Sequence, residues 1–277
     1  MAPSRRSATP AAAPAAALVF AHANGFPAGT YRVLFEVWRA AGWTVDAVEA
    51  FGHDPRFAVT NNWPHLREQL AERVQAQRGR CVLVGHSLGG YLSLMVACHH
   101  PQSVAGVVML DSPVVGGWRA HGVHVAKRTG LIRRVSPARF SQRRREHWSD
   151  RGAARAHFAG KAAFATWDAR VLDDYLRCGL VDDEHGVSLR FRRDIETRIY
   201  NTLPHHLTQL VRRHPPAAPV AFVGGTQSAE VRQAGLAATR AITRGRMSWL
   251  EGSHLFPMQH PDAAAQEVLR WIAAFGL

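Results

Sequence analysis

A serine held between glycines separates two apolar stretches in the first half of the chain. Residues 82–94 read VLVGHSLGGYLSL, so one apolar run stops at Gly85-His86-Ser87-Leu88-Gly89 and another begins at once. The short run before the motif predicts a buried strand, and the longer run after it predicts a buried helix. Ser87 is therefore expected on a sharp turn between a strand and a helix that both lie inside the fold.

Further apolar runs alternate with helical patterns on both sides of this turn. Strands with no polar alternation are typical of a parallel sheet that is covered by helices on both faces. The chain is therefore predicted to be an α/β protein with a doubly wound, mostly parallel sheet. The predicted strands are residues 18–21, 43–50, 81–84, 104–110, 219–223 and 247–250, and the predicted helices are about 29–41, 64–79, 87–97 and 229–242, with a last one begun by Pro261.

The rhythm changes in the middle of the chain, where charged residues increase and no strong strand candidate occurs. We interpret residues 114–216 as a helical lid inserted into one α/β core, which comprises residues 18–113 and 217–277. Residues 1–17, rich in alanine and proline, are expected to form a disordered tail. A length of 277 residues is compatible with a single α/β domain that carries such an insertion.

The net charge of +13 raises the question of a nucleic-acid partner. Residues 116–215 contain 20 Lys and Arg against 10 Asp and Glu, and only Lys127 and Lys161 of the chain's 34 basic residues are lysines. An arginine bias in an alanine-rich chain is typical of a GC-rich genome, and no nucleic-acid-binding motif is recognisable. We therefore expect a solvated basic face and no nucleic-acid partner.

The cysteines and the hydropathy of the chain indicate the cellular compartment in which it is expected. Cys81, Cys98 and Cys178 are widely spaced and form no CxxC pair, which favours neither a disulfide framework nor a zinc site. No apolar run approaches the roughly 20 residues that a transmembrane helix needs. A cytoplasmic protein without a transmembrane segment is the expectation.

Glycine is needed on both sides of Ser87 for a steric reason. A nucleophile raised above the end of a strand sits on a strained turn, where side chains two residues before and after it would collide with neighbouring backbone. Gly85 and Gly89 remove those side chains. The helix that starts here directs unpaired N–H groups towards developing negative charge, so the Leu88 N–H is the natural oxyanion donor.

With this motif in its strand-turn-helix setting, the chain resembles the α/β-hydrolase family from Leu18 onward. The order of elements, the insertion after the strand that ends at Asp111, and a late histidine resemble that family as well. The resemblance implies an active site at the carboxyl edge of the sheet, with the insertion as a lid. The first recognisable strand resembles the family's third, so the usual initial hairpin is absent or hidden in the tail.

A serine hydroxyl needs a base to take its proton and a third group to orient that base. His254 follows the last predicted strand and precedes the terminal helix, where the family's histidine lies; His260 is the alternative. The turn after the next-to-last strand, where the family most often places its acid, offers only Glu230. Asp111 ends the strand beside the nucleophile strand, a position some members use, and we favour it over Glu230.

The loop after the first strand is the candidate for a second oxyanion donor. His22-Ala23-Asn24-Gly25-Phe26-Pro27 stands where the family often has an HG-x-P type loop, although asparagine replaces the expected histidine. The resemblance implies that the Phe26 N–H is the donor, with His22, Asn24 and Gly25 supporting the loop.

These residues predict a serine hydrolase that cleaves a small-molecule carboxylic ester through an acyl-enzyme, without cofactor or metal. Cleavage of an amide, lactone, thioester or carbon-carbon bond by the same residues is an alternative. A binding protein that keeps the fold without turnover is another. A serine nucleophile argues against dehalogenation, which in this family uses an aspartate.

Overall fold

A computed structural model describes residues 17–132 and 137–277. The predicted tail, apart from its last residue, lies outside the described residues. Strands are numbered β1 to β9 and helices α1 to α14 in chain order. The first part of the chain contains β1 Ala17–Ala21, a 3-10 helix Ala28–Tyr31, α1 Arg32–Ala40, β2 Thr44–Ala47, α2 Pro64–Gln75, β3 Cys81–His86, α3 Leu88–His99 and β4 Val104–Leu110.

The middle and last parts follow the same numbering. Between β4 and β8 lie α4 Gly117–Arg128, α5 Ala138–Ser141, β5 His147–Trp148, α6 Arg151–Ala159, α7 Ala162–Ala165, α8 Ala169–Cys178, β6 Leu180–Asp183, β7 Gly186–Leu189, α9 Arg193–Asn201 and α10 Leu207–Arg213. The chain ends with β8 Val220–Gly225, α11 Ala229–Ala234, α12 Ala237–Thr243, β9 Met247–Leu250, α13 Phe256–Gln259 and α14 Pro261–Ala274.

Six strands form one parallel sheet in the order β2-β1-β3-β4-β8-β9. The prediction of a parallel α/β sheet is confirmed. The central strand β3 lies between β1 and β4, so the turn after β3 is flanked by the loops that follow both neighbours. Because parallel strands end at one edge, Ser87 and Asp111 are brought to the same side of the molecule.

The central strands are buried on both faces. In β1, Leu18 and Phe20 belong to one apolar cluster while Val19 and Ala21 belong to the other. Helices α2 and α3 pack on the face of Val19, and α1 and α14 pack on the face of Phe20. Helix α3 is buried from Leu88 to Cys98, which explains why its sequence is apolar on every side.

Residues 114–216, which the sequence predicts to be a helical lid without strong strands, differ from that prediction in one respect. Besides their helices they contain a three-stranded antiparallel sheet in the order β5-β7-β6. These strands are two to four residues long and include Asp182, Asp183 and Ser188, so their sequence lacks the apolar run that would have predicted them. Pairing with neighbours, rather than strand propensity, makes them extended.

Two other boundaries are also set by local geometry. The helix predicted over 229–242 is divided into α11 and α12 at Gly235, whose φ of +73° leaves the helical region. Strand β2 is shorter than predicted, covering Thr44–Ala47. Of the helices in the described ranges, none combines the length and the apolar composition that crossing a bilayer requires.

Candidate active site

Ser87 lies on a strained turn at the carboxyl end of β3. Its φ of +53° is a conformation that a non-glycine residue rarely adopts, and its N–H is held by Leu110 O at 3.0 Å. A Cβ on Gly85 would lie 2.2 Å from the carbonyl carbon of Gly89, and a Cβ on Gly89 would lie 1.9 Å from Ala21 O. Both glycines of the motif are therefore required for the close approach of β3, α3 and β1.

Three side chains from distant parts of the sequence form a continuous chain of hydrogen-bond distances. Ser87 Oγ lies 3.0 Å from His254 Nε2, and His254 Nδ1 lies 2.6 Å from Asp111 Oδ2. His260, the alternative base, is exposed at the start of α14 and has no hydrogen bond to Ser87 or Asp111 among the described contacts. The structure thus brings together the predicted nucleophile, base and acid.

Asp111 is held on both of its oxygens. Oδ1 accepts a hydrogen bond from Gly225 N at 2.7 Å, and Oδ2 accepts one from Ser228 Oγ at 2.6 Å in addition to its contact with His254. The side chain is fully buried, and the residue has a φ of +42°. Such a carboxylate cannot rotate away from the imidazole without losing buried hydrogen bonds.

Glu230, the alternative acid, lies nearby but less favourably. Its Oε2 is 3.9 Å from His254 Nδ1, beyond hydrogen-bond range, and its side chain is 47% exposed. Ser228 stands between the two carboxylates, with its hydroxyl 3.4 Å from Glu230 Oε2. Asp111, Glu230 and His254 also form the one grouping of potential metal-ligand atoms found within the described ranges, and two of its three members already bond each other directly.

The charges of this site change the pKa values of its members. Burial lowers the pKa of His254, but the hydrogen bond to Asp111 and the charge of Glu230 outweigh it, so the pKa lies above its usual value. Burial raises the pKa of Asp111, yet His254, Gly225 N–H and Ser228 together bring it below its usual value. Both shifts favour an ionised Asp111 beside a basic imidazole.

The loop after β1 is held in place by several buried contacts. Gly25 has a φ of +85°, and His22 accepts a hydrogen bond from Phe51 N at 2.9 Å while its other ring nitrogen lies 2.8 Å from Ala23 O. Asn24 Nδ2 donates to Glu196 O at 2.9 Å. These contacts fix the shape of the loop that carries Phe26.

The two expected oxyanion donors differ in their surroundings. Leu88 is the first residue of α3, so its N–H has no carbonyl one turn earlier in the helix to bond. The Phe26 N–H donates to Ala23 O at 3.2 Å and closes a turn. The Leu88 N–H is therefore ready to receive an anion, whereas the Phe26 N–H is engaged in a long turn bond.

A buried network joins the loop after β1 to the histidine loop, and sequence reasoning did not foresee it. Tyr31 OH lies 2.7 Å from His86 Nδ1, Ala23 N donates to Tyr31 OH at 3.2 Å, and His86 Nε2 lies 2.9 Å from His254 O. Because a carbonyl only accepts, His86 Nε2 carries the proton and Tyr31 donates to Nδ1. Burial lowers the pKa of His86 to about 3, which keeps this ring neutral.

A buried ion pair within residues 114–216 lies against the same loop. Arg144 Nη1 lies 2.8 Å from Glu196 Oε2, both side chains are largely buried, and Arg144 also donates to Tyr175 OH. A Cβ on Gly25 would lie 3.0 Å from the Glu196 carboxylate. On the other side, the Phe26 ring lies 5.8 Å from that of Tyr175, in an aromatic cluster of the insertion. Residues 114–216 thus directly contact the loop that carries Phe26.

Sequence signals for these additional residues were weak. Ser228 lies in the turn after the next-to-last predicted strand, where only a carboxylate would signal the catalytic acid, and His86 lies inside the serine motif but at its variable position. Tyr31 falls within the helix predicted over about residues 29–41, where an aromatic side chain is expected on the apolar face. Each acquires its role from a partner more than 50 residues away in the chain, at separations of 55 for Tyr31 and His86 and 117 for Ser228 and Asp111.

A six-stranded parallel sheet with a strained serine turn at its carboxyl edge defines the α/β-hydrolase class of fold. The model of the alpha/beta hydrolase family matches residues 18–267. The chain belongs to the alpha/beta hydrolase family.

Individual relatives are more distant. A pyrethroid hydrolase from Sphingobium wenxiniae (strain DSM 21828 / CGMCC 1.7748 / JZ-1) is 32% identical over 86 residues, which cover 30% of this chain and 30% of that protein. The alignment therefore spans less than a third of the relative's length.

Solved structures resemble the fold over nearly its whole length. E-2-(acetamidomethylene)succinate hydrolase superposes with a TM-score of 0.71 at 20% identity, covering 93% of this chain and 91% of that one. The thioesterase domain from the curacin biosynthetic pathway has a TM-score of 0.69 at 16% identity, covering 92% and 90%. The enol-lactonase from Burkholderia xenovorans LB400 has a TM-score of 0.58 at 15% identity, covering 94% and 92%.

Proposed function

We propose that this member of the family is a serine hydrolase that cleaves a carboxylic ester through an acyl-enzyme. The observation that carries the proposal is the unbroken contact chain from Ser87 Oγ through His254 to Asp111, at 3.0 and 2.6 Å. Ester cleavage as the reaction draws further support from the partial similarity to a pyrethroid hydrolase. The substrate class is a small molecule with an ester-like carbonyl.

In the first half-reaction Ser87 Oγ bonds to the carbonyl carbon while its proton passes to His254 Nε2. Asp111 stabilises the imidazolium that forms, because its charge lies against Nδ1. The tetrahedral oxyanion is bound by the Leu88 N–H, with the Phe26 N–H exchanging its long turn bond for the oxyanion. Collapse of this intermediate transfers the His254 proton to the leaving alkoxide and releases the alcohol.

In the second half-reaction His254 takes a proton from water, and the resulting hydroxide equivalent attacks the acyl carbon. The new tetrahedral intermediate collapses, Ser87 regains its proton from His254, and the carboxylic acid leaves. Every proton in this sequence is exchanged among Ser87, His254, water and the substrate, so the steps balance without an oxidant or a reductant.

Covalent labelling with a fluorophosphonate tests this proposal without knowledge of the natural substrate. We expect labelling that maps to Ser87 and disappears in Ser87→Ala and in His254→Ala. Ser93→Ala is a matched control, because Ser93 is a buried serine of α3, the helix that follows Ser87. Labelling at another serine, or none in the folded wild-type protein, would contradict an activated Ser87 and favour a binding protein on this fold.

A panel of p-nitrophenyl esters, thioesters, amides and lactones then tests the bond that is cleaved. Turnover that is fastest for carboxylic esters and depends on Ser87 supports the proposal. Faster Ser87-dependent turnover of a thioester, amide or lactone would keep the catalytic residues but replace the assigned reaction.

A further inference from the structure

Exposed apolar side chains are concentrated in the first part of the insertion. Within the described ranges, six large hydrophobic residues are exposed, and four of them fall between residues 118 and 140: Trp118 at 75%, Val125 at 42%, Leu131 at 48% and Phe140 at 66%. A tryptophan exposed to this extent loses hydrophobic stabilisation unless something covers it. We call residues 117–132 together with 137–145 the basic aromatic surface.

The same part of the chain has basic residues and no acidic ones. From residue 112 to residue 145 the sequence contains nine Lys and Arg and not one Asp or Glu. Five arginines of the basic aromatic surface are exposed, and among the described contacts none of the five pairs with a carboxylate; they are Arg119, Arg128, Arg139, Arg143 and Arg145. A positive potential therefore surrounds the exposed apolar side chains.

Helix α4 places these groups in a defined arrangement. At about 100° per residue, Trp118 and Val125 lie within about 20° of one another, while Arg119 and Arg128 lie on opposite flanks of that line. The inner face is already occupied, because Ala120 is buried and Lys127 donates to Asn62 and to the Leu203 carbonyl. The helix thus directs an apolar strip bordered by arginines into solvent.

Both exposed aromatic rings of the basic aromatic surface lie close to an arginine. The Arg119 guanidinium carbon lies 4.7 Å from the centre of the Trp118 ring, and that of Arg139 lies 4.5 Å from the centre of the Phe140 ring. A guanidinium over a ring leaves its N–H donors free for phosphate while the ring faces an apolar medium. A ligand with an apolar layer beneath a layer of phosphates can therefore bind both the guanidinium groups and the aromatic rings.

We propose that the basic aromatic surface docks the protein on an anionic phospholipid bilayer, with Trp118 and Phe140 inserted at the level of the headgroups. An anionic membrane offers a negative surface potential for the arginines and an acyl boundary for the apolar side chains. Nucleic acid would attract the arginines but offers no apolar layer for Val125 and Leu131. The function of this surface is independent of the reaction at Ser87.

Co-sedimentation of the full-length protein with vesicles tests the proposal. Vesicles of phosphatidylcholine alone are compared with vesicles that contain one third phosphatidylglycerol, at low and at high salt. We expect binding to the anionic vesicles, at least tenfold stronger than to neutral vesicles at low salt, and weaker binding as salt rises. Absence of binding to anionic vesicles at low salt would overturn the proposal.

Two double variants localise the contact. Trp118→Ser with Phe140→Ser, and Arg119→Gln with Arg128→Gln, should each weaken vesicle binding at least tenfold. Arg212→Gln with Arg213→Gln is the matched control, because both are exposed arginines of α10 outside the surface, and it should bind as the wild type does. An equal loss of vesicle binding in the control variant would contradict the lipid assignment. The assignment would also be contradicted if the protein bound duplex DNA more tightly than vesicles and the Trp118 and Phe140 double variant kept its affinity for DNA.

Discussion

The Tyr31 hydroxyl lies 2.7 Å from His86 Nδ1 in the buried interior of the site. Through this contact a residue of the first helical turn holds the imidazole that in turn donates to the carbonyl of His254. The same hydroxyl accepts a hydrogen bond from the N–H of Ala23, at the start of the loop that carries Phe26. Tyr31 therefore links the position of the proposed catalytic base to that of the proposed oxyanion donors.

Removing this hydroxyl should reduce turnover more than substrate binding. For Tyr31→Phe we expect kcat on an ester to fall roughly ten- to a hundredfold with little change in KM, because the base and the donor loop lose their common support. The free energy of unfolding should fall by about 1–3 kcal/mol, since two buried polar groups lose a partner. Steady-state kinetics and urea denaturation measure the two effects.

Tyr91→Phe is the control for that experiment. Its buried hydroxyl donates to Pro113 O at 2.6 Å and has no contact with His86, so its loss should affect stability without the same fall in kcat. Equal kcat values for Tyr31→Phe and the wild type would mean that the link has no catalytic consequence.

The choice between the two carboxylates can be tested directly. Asp111→Asn should lower kcat by roughly three to four orders of magnitude, because an amide can neither stabilise the imidazolium nor keep the tautomer of His254. Glu230→Gln should lower kcat by less than about tenfold, because its oxygen lies 3.9 Å from Nδ1. Full activity in Asp111→Asn would overturn the assignment of the acid.

Glu230 should instead affect the pH dependence of kcat/KM, through the pKa of His254. The base works only when neutral, so activity rises as pH increases through the pKa of His254, which lies above its usual value of 6.5. Removing the charge of Glu230 lowers that pKa, so Glu230→Gln should shift the acid limb of kcat/KM to lower pH. The profile of kcat/KM is measured between pH 5 and 9 at constant ionic strength. An acid limb at the same pH in Glu230→Gln as in the wild type would contradict a charge effect of Glu230.

Two glycines in helices should respond to alanine in opposite directions. Gly89→Ala should prevent stable folding or cost several kcal/mol of unfolding free energy, because the new Cβ would lie 1.9 Å from Ala21 O. Gly122→Ala, in α4, should gain about 0.5–1 kcal/mol, because nothing lies within 4 Å of the new Cβ and alanine favours the helix. Thermal unfolding followed by circular dichroism distinguishes the two, and a stable Gly89→Ala would disprove the close approach of α3 to β1.

Much of this architecture follows from local sequence. Apolar runs predicted the parallel strands, and β4 Val104–Leu110 and β9 Met247–Leu250 have the predicted bounds. Strand burial on two faces forces such continuous runs, so the pattern is visible without a structure. The serine turn was visible for a similar reason, because crowding at the end of β3 requires glycine at fixed positions two residues before and after Ser87.

Other features were decided by contacts between residues far apart in the sequence. Asp111 and Glu230 both follow strands that end at the same edge, and only the packing places one at 2.6 Å and the other at 3.9 Å from His254 Nδ1. The short strands of the insertion and the Arg144 ion pair with Glu196 likewise depend on partners that no local pattern specifies. Local sequence determines the backbone conformation and burial of the long apolar elements, whereas the pairing of the short strands and the choice among equivalent polar groups depend on distances that exist only after the chain has packed.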